Sequence, residues 1–328
     1  MKVFFRILLV SGIFFLYAWL ILRASQVPLP DSSRSLLLYS NQTRHDIKRI
    51  YCQALRQATQ AIFLSFYGIS DPEIIHILSQ KAKEELAVRV EYDACASVKL
   101  RKILPDSIQL SAPKLQGLMH RKIAVFDHER VLLGSANLTT TSLRHHANLV
   151  LGLYSPSLAT YLENPESSFC TFQIEDQQGE FFLLPDGLAL KRLLDTIHQA
   201  KRKIMIAMFT LTHPAIADAL IQARRRKVDI TIAVDYYTAK GASRKALESM
   251  EGEGIRIYLS QGRELLHHKW AVIDDAIFAM GSANWTKAAF SKNRDFLLFL
   301  YPLKKNQLQF FKKLWKIIES ESESRLLA

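Results

Sequence analysis

MHRKIAVFDHERVLLGSANLT (119–139) and HHKWAVIDDAIFAMGSANWT (267–286) carry one pattern twice. Both read H-x-K-x4-D-x6-G-S-x-N. The fixed residues are His120, Lys122, Asp127, Gly134, Ser135 and Asn137 in the first copy, and His267, Lys269, Asp274, Gly281, Ser282 and Asn284 in the second. Six fixed positions coincide by accident about once in 20⁶ starting points, so the repetition is not chance. The likeness extends upstream. AIFLSFYGISDPEIIHIL (61–78) aligns with KIMIAMFTLTHPAIADAL (203–220), and VRVEYD (88–93) aligns with ITIAVD (230–235), which pairs Asp93 with Asp235. The period is far too long for a solenoid, so it implies two similar domains or one pseudo-symmetric body.

Each copy predicts an amphipathic helix (47–60 and 187–202), a short apolar strand, a helix opened by proline, a strand, and two strands bearing the motif. Strands alternating with helices predict an α/β fold: two similar α/β/α sandwich repeats with mixed sheets, related by a pseudo-two-fold. The expected division is 46–165 for the first repeat and 166–328 for the second. The final segment, 308–318, has apolar residues at helical spacing with lysines between, and predicts a helix packed on a sheet.

The chain has 328 residues, of which 49% are hydrophobic, enough for a full core. That excludes a disordered or fibrous protein. Three cysteines exclude a disulfide scaffold, and no cysteine–histidine spacing suits zinc. A formal charge of +12 favours anionic partners such as nucleic acid, acidic lipid or phosphate esters. At the N-terminus, residues 7–22 are uncharged and 3–5 extend the apolar run past Arg6. Twenty residues of helix cover about 30 Å, a bilayer core. A single N-terminal hydrophobic helix within 1–23, anchoring through 3–22, is expected, with a cleaved signal peptide as the competing reading. A tether over 24–45 would follow, with the remainder exported to a periplasmic or extracytoplasmic space.

His and Lys two apart on a strand point to one face and can reach one ligand. Two imidazoles suit a phosphodiester: one attacks phosphorus, and the other donates a proton to the leaving oxygen. Lysines neutralise the growing negative charge, while Ser135, Asn137, Ser282 and Asn284 supply neutral donors. Both motifs are expected in one cleft, within a monomer and without metal or cofactor.

These motifs resemble the phospholipase D superfamily, which contains phospholipases, phospholipid synthases and nucleases. The resemblance spans residues 46 to about 300. It implies a metal-independent double displacement through phosphohistidine, with His120 as nucleophile and His267 as acid/base. Lys122, Lys269, Asn137 and Asn284 would hold the phosphoryl oxygens, and Asp127 and Asp274 would support the motif architecture. Family members commonly place N-x-E after the motif. Here those positions hold Asn293 and Asp295 in the second copy, but His146 and Asn148 in the first. Asp295, in the second copy, is expected to raise the pKa of His267 above that of His120. The function implied is a membrane-tethered phospholipase D-type phosphodiesterase acting on glycerophospholipids, with possible transfer to another alcohol. A metal-independent nuclease and a non-catalytic binding homologue are the alternatives. Because the chemistry needs no metal, activity should survive excess EDTA; loss of turnover that a divalent ion restores would contradict it.

Overall fold

The computed structural model describes residues 27–262 and 264–325. The apolar segment 3–22 lies outside them. Among the described residues no helix is long and apolar enough to cross a membrane.

The first half lays down β1 (Leu36–Ser40), β2 (Ala61–Phe66), β3 (Ala87–Tyr92), β4 (Gln109–Ser111), β5 (Lys122–Phe126), β6 (Arg130–Gly134), β7 (His146–Ala147) and β8 (Leu149–Tyr154). The second contributes β9 (Phe169–Ile174), β10 (Gln177–Leu183), β11 (Lys203–Met208), β12 (Asp229–Asp235), β13 (Arg256–Ser260), β14 (Leu265–Leu266), β15 (Lys269–Ile273), β16 (Ile277–Gly281), β17 (Phe296–Tyr301) and β18 (Ser322–Arg325). The sheet orders are β1-β8-β6-β5-β2-β3-β4 and β18-β13-β12-β11-β15-β16-β17-β10-β9. Reversing the second order superposes the two: β10, β17, β16, β15, β11, β12 and β13 stand where β1, β8, β6, β5, β2, β3 and β4 do. Parallel β2–β3 and β11–β12 pairs beside antiparallel neighbours make both sheets mixed, as the alternating pattern predicts.

The repeat therefore begins earlier than expected. Residues 36–43 are not part of a tether. LLLYS forms β1, which pairs antiparallel with β8, and Asn41–Thr43 makes a 3-10 turn. An apolar strand beside an open sheet edge gains a ladder of hydrogen bonds, and a run of polar neighbours does not prevent that.

Helices Ile47–Gln57 and Pro72–Lys83 cover the outer face of the first sheet, meeting Ile62, Leu64 and Phe66. Helices Gly187–Gln199, Pro214–Arg225 and Arg244–Gly252 cover the outer face of the second. Aspartates start several of them. Asp46 accepts from Arg49 N, Asp71 from Glu73 N, and Asp186 from Leu188 N, while Pro72 and Pro214 open their helices. The inner faces meet each other. Phe63, Ile123 and Leu151 of one sheet share a core with Trp270, Phe278 and Leu298 of the other. Helix Lys305–Ser320 packs Phe311, Leu314 and Ile318 into this core, so the C-terminal amphipathic segment is covered by protein. The basic run before β12 is used locally. Arg225 pairs with Glu253, and Arg226 donates to the Ile197 and His198 carbonyls at the end of a helix.

The motif glycines let neighbouring strands close up. A Cβ on Gly134 would stand 2.5 Å from Leu149 O, and one on Gly281 would overlap Phe296 O. Gly281→Ala should therefore destabilise the protein by about 3 kcal/mol or more, read as a lowered midpoint in thermal denaturation; an unchanged midpoint would refute the close approach.

Candidate active site

The two motifs converge where the sheets meet, at the ends of β2, β3, β11 and β12. Backbone bonds between the halves hold them there. His120 N donates to Arg294 O and Arg294 N to Leu118 O, each at 2.8 Å, while His267 N donates to Ala147 O at 2.9 Å. Strands β7 and β14 pair in parallel beside the second of these. Each histidine thus lies next to the residue just before the other copy's orienting side chain.

The orienting bonds cross over. His120 Nδ1 meets Asp295 Oδ1 at 2.7 Å, and His267 Nδ1 meets Asn148 Oδ1 at 3.0 Å. This corrects the expected pairing within each copy. The chain path from motif to acid is short, but the strands carry Asp295 across the two-fold to the first histidine. The carboxylate therefore belongs to His120, and the predicted pKa order is reversed. Burial and the Lys122 charge lower the His120 pKa, with Asp295 acting against them. Burial, Lys269 and Lys122 hold His267 well below the ordinary value, and no carboxylate opposes them. Burial would raise the pKa of Asp295, but His120, Lys122 and the Ser282 hydroxyl keep it low. Both rings thus donate Nδ1–H and turn Nε2 outward.

Ser135 and Ser282, expected as donors to the substrate, bond the orienting residues instead. Ser135 Oγ donates to Asn148 Oδ1 at 2.8 Å and accepts from Leu149 N; Ser282 Oγ donates to Asp295 Oδ1 at 2.7 Å and accepts from Phe296 N. They are buried and fully used in fixing the orienting residues. Asn148 Nδ2 donates to Ser142 O, which aims its oxygen at His267. Asp127 and Asp274 lie at the opposite ends of β5 and β15. Asp127 receives the backbone N–H of Thr59, Gln60 and Ala61, and Asp274 those of Lys201, Arg202 and Lys203. They tie the motif hairpins to the preceding strand and take no place in the cleft.

Lys122 and Lys269 are buried, their ammonium groups donating to His120 O and His267 O. Burial lowers the Lys122 pKa to about 7. Burial and the Lys122 charge hold Lys269 well below the lysine range. Each ammonium lies over an aromatic ring, Lys122 over Tyr67 at 5.4 Å and Lys269 over Phe209 at 5.2 Å. Asn137 and Asn284 are half-buried, and no described residue bonds their Oδ1 atoms. Two lysines, two amides and two imidazoles thus gather at one junction, with the carboxylate of Asp295 behind His120 and those of Asp93 and Asp235 near Lys122 and Lys269.

Two further sets of residues belong to the site. Asp93 Oδ2 accepts from Met119 N, and Asp235 accepts from Leu266 N, each just before a catalytic-motif histidine. Their equivalent places at the ends of the aligned segments VRVEYD and ITIAVD are the signal for that role. His146 places its ring 5.5 Å from His267, with Nδ1 buried and unpartnered. Among the described residues no group of three His, Cys, Asp or Glu side chains converges as metal ligands.

A family model described as "Cardiolipin synthase, PLD-like domain" matches residues 51–165 and 193–319. Mitochondrial cardiolipin hydrolase of Xenopus laevis is 32% identical over 132 residues, which cover 39% of this chain and 61% of the relative. The chain spans about three fifths of the length of that relative. Cardiolipin synthase of Halalkalibacterium halodurans is 26% identical, over 84% of this chain and 68% of its own. The crystal structure of phosphatidylserine synthase from Haemophilus influenzae superposes with a TM-score of 0.73 at 14% identity, over 90% of this chain and 88% of the other, a likeness of fold.

The buried lysine is a stability cost that Lys122→Met should relieve. Its folded pKa of about 7 lies below the ordinary 10.5. Unfolding takes up a proton across that window, so wild-type stability rises with pH between those values. Lys122→Met should raise the melting temperature most below pH 7 and progressively less toward pH 10, while turnover falls at least about 10²-fold. A lower melting temperature at pH 6 would contradict the geometry.

Proposed function

This chain belongs to the phospholipase D superfamily, within the cardiolipin synthase, PLD-like domain family, and on that premise we propose that it is a phosphodiesterase or phosphatidyl transferase that opens glycerophospholipid phosphodiesters through a phosphohistidine. The observation that carries the reading is the crossed pair, His120 on Asp295 and His267 on Asn148, facing one cleft with two buried lysines. The names of the relatives, cardiolipin hydrolase and cardiolipin synthase, support a phospholipid substrate.

An arriving phosphodiester brings negative charge to Lys122 and Lys269. Burial and the lysine charges together keep His267 deprotonated; neutralising the lysines removes their share, so His267 can hold a proton on Nε2 beside the bound anion. His120 Nε2 then attacks phosphorus. A nitrogen–phosphorus bond forms, the bond from phosphorus to the leaving oxygen breaks, and that oxygen takes the His267 proton. The positive charge left on the His120 ring is stabilised by the Asp295 carboxylate at Nδ1. In the second half His267, now neutral, takes a proton from water or an alcohol, whose oxygen displaces His120. Water gives hydrolysis and an alcohol gives transfer. Asn148 fixes the His267 ring without adding basicity, which suits a group that must release its proton.

The proposal includes a monomer with both motifs in one chain, attached to a membrane through residues 3–22, its catalytic part extracytoplasmic. The described chain enters the body at the edge opposite the cleft, where Pro30 O accepts from Arg130 Nε beyond the motif hairpin.

With radiolabelled phospholipid vesicles and a slow substrate, phosphate should be trapped on His120 and mapped there by mass spectrometry. His120→Ala and His267→Ala should each cost several orders of magnitude, and the double variant little more, as groups acting together do. Phosphate on His267, or additive losses, would overturn the assignment. Cleavage of single-stranded DNA in place of phospholipid would favour the nuclease reading that the +12 charge first suggested.

A further inference from the structure

The two edges of the sheets differ in charge. At the edge remote from the cleft several cations have acids beside them, although Lys83, Lys201 and Lys227 have none among the described residues. Arg256 meets Asp229 at 2.7 Å, Lys304 meets Asp176 at 2.6 Å, Lys81 meets Glu84 at 2.8 Å, and Arg225 pairs with Glu253. At the cleft edge Lys48 pairs with Asp71 at 3.0 Å and Arg121 with Glu91 at 3.9 Å, but a larger set of cations stands without acids. Lys99 beyond β3, Lys114 before β5, Arg144 beyond β6, Lys287 beyond β16, and Lys292 and Arg294 before β17 have no acidic partner among the described residues.

Apolar exposure follows the same division. Six large apolar side chains stand exposed among the described residues. Five of them lie at the cleft edge. Val98 (74% exposed) follows β3, Leu118 precedes β5, Tyr237 (74%) follows β12, Leu188 follows β10, and Phe169 opens β9 opposite Phe182. A single-stranded nucleic acid would call for cations interleaved with aromatic faces for base stacking, whereas three of these five side chains are aliphatic. Cations interleaved with exposed aliphatic and tyrosine side chains match a bilayer surface, whose anionic head groups lie above acyl chains.

We propose that the cleft edge is a docking surface for an anionic lipid bilayer, with Val98, Leu118 and Tyr237 entering the head-group layer around the cleft. The proposal rests on the phospholipid reading, to which it adds the partner surface. Docking brings the phosphodiester to the histidines without extraction of the whole lipid. Because the described chain enters at the remote edge, the docked surface faces away from that entry point.

The test uses the full chain in nanodiscs of phosphatidylcholine. One added tryptophan reports in each variant: Val98→Trp or Tyr237→Trp at the cleft edge, and Lys201→Trp at the remote edge as control. Brominated phosphatidylglycerol is supplied in added vesicles or, in a second arm, in the disc itself. In at least one arm, fluorescence from positions 98 and 237 should fall by about half or more while that from 201 stays constant, with the effect weakening at high salt. Equal quenching at 98 and 201, or none at 98 and 237 in both arms, overturns the proposal. If neither arm quenches but single-stranded DNA changes the fluorescence at 98, the cationic edge serves nucleic acid. Quenching without phospholipid turnover would keep the docking surface and remove the phospholipid reading; turnover without quenching would do the reverse.

Discussion

The contact between the halves governs this molecule. His120 N–H on Arg294 O, and His267 N–H on Ala147 O, fix two strand ends from different sheets in register. From that register the chemistry follows. Asp295 comes next after Arg294 and reaches His120, and Asn148 comes next after Ala147 and reaches His267. The same contact takes the motif lysines out of water, because each lies two residues further along its strand. Without the interface, neither half would hold an oriented histidine. The shared core of Phe63, Ile123, Trp270 and Phe278 supplies the apolar burial that keeps the contact closed.

The site is unstable in the free protein for the reason that makes it useful. Two lysines are buried near one another and near two histidines, so burial and mutual repulsion lower the pKa values of all four. A phosphodiester anion relieves each of these costs together. Binding energy is therefore concentrated where negative charge grows, instead of at a neutral part of the substrate. The crossed orienting bonds then divide the roles. A carboxylate behind one ring stabilises a positive imidazole, while an amide behind the other only sets its tautomer.

Much of this is readable in the residues. The paired H-x-K and G-S-x-N elements, the α/β alternation and the repeat spacing follow from local pattern, since strands and helices record their faces in the order of apolar positions. The G-S step is readable too, because glycine marks the close approach of β6 to β8 and of β16 to β17. Three features are not legible in local pattern. The strand at 36–40 is recognised by its partner β8 and not by its polar flanks. The direction of the Ser135 and Ser282 hydroxyls is set by backbone geometry, which turns them onto Asn148 and Asp295. Asp295 lies near His267 in sequence but reaches His120 across the two-fold.

The residue types and their intervals thus settled the fold class and the superfamily, and marked the histidines, lysines and asparagines of the two motifs, because those are properties of local order and side-chain type. Which histidine has the carboxylate, which hydroxyls are spent on positioning, and which edge remains cationic and apolar were settled by folding. These depend on contacts between residues far apart in the chain: 175 positions separate His120 from Asp295, and 119 separate His267 from Asn148. No local pattern records a pairing across that distance; it exists only once the two sheets have met.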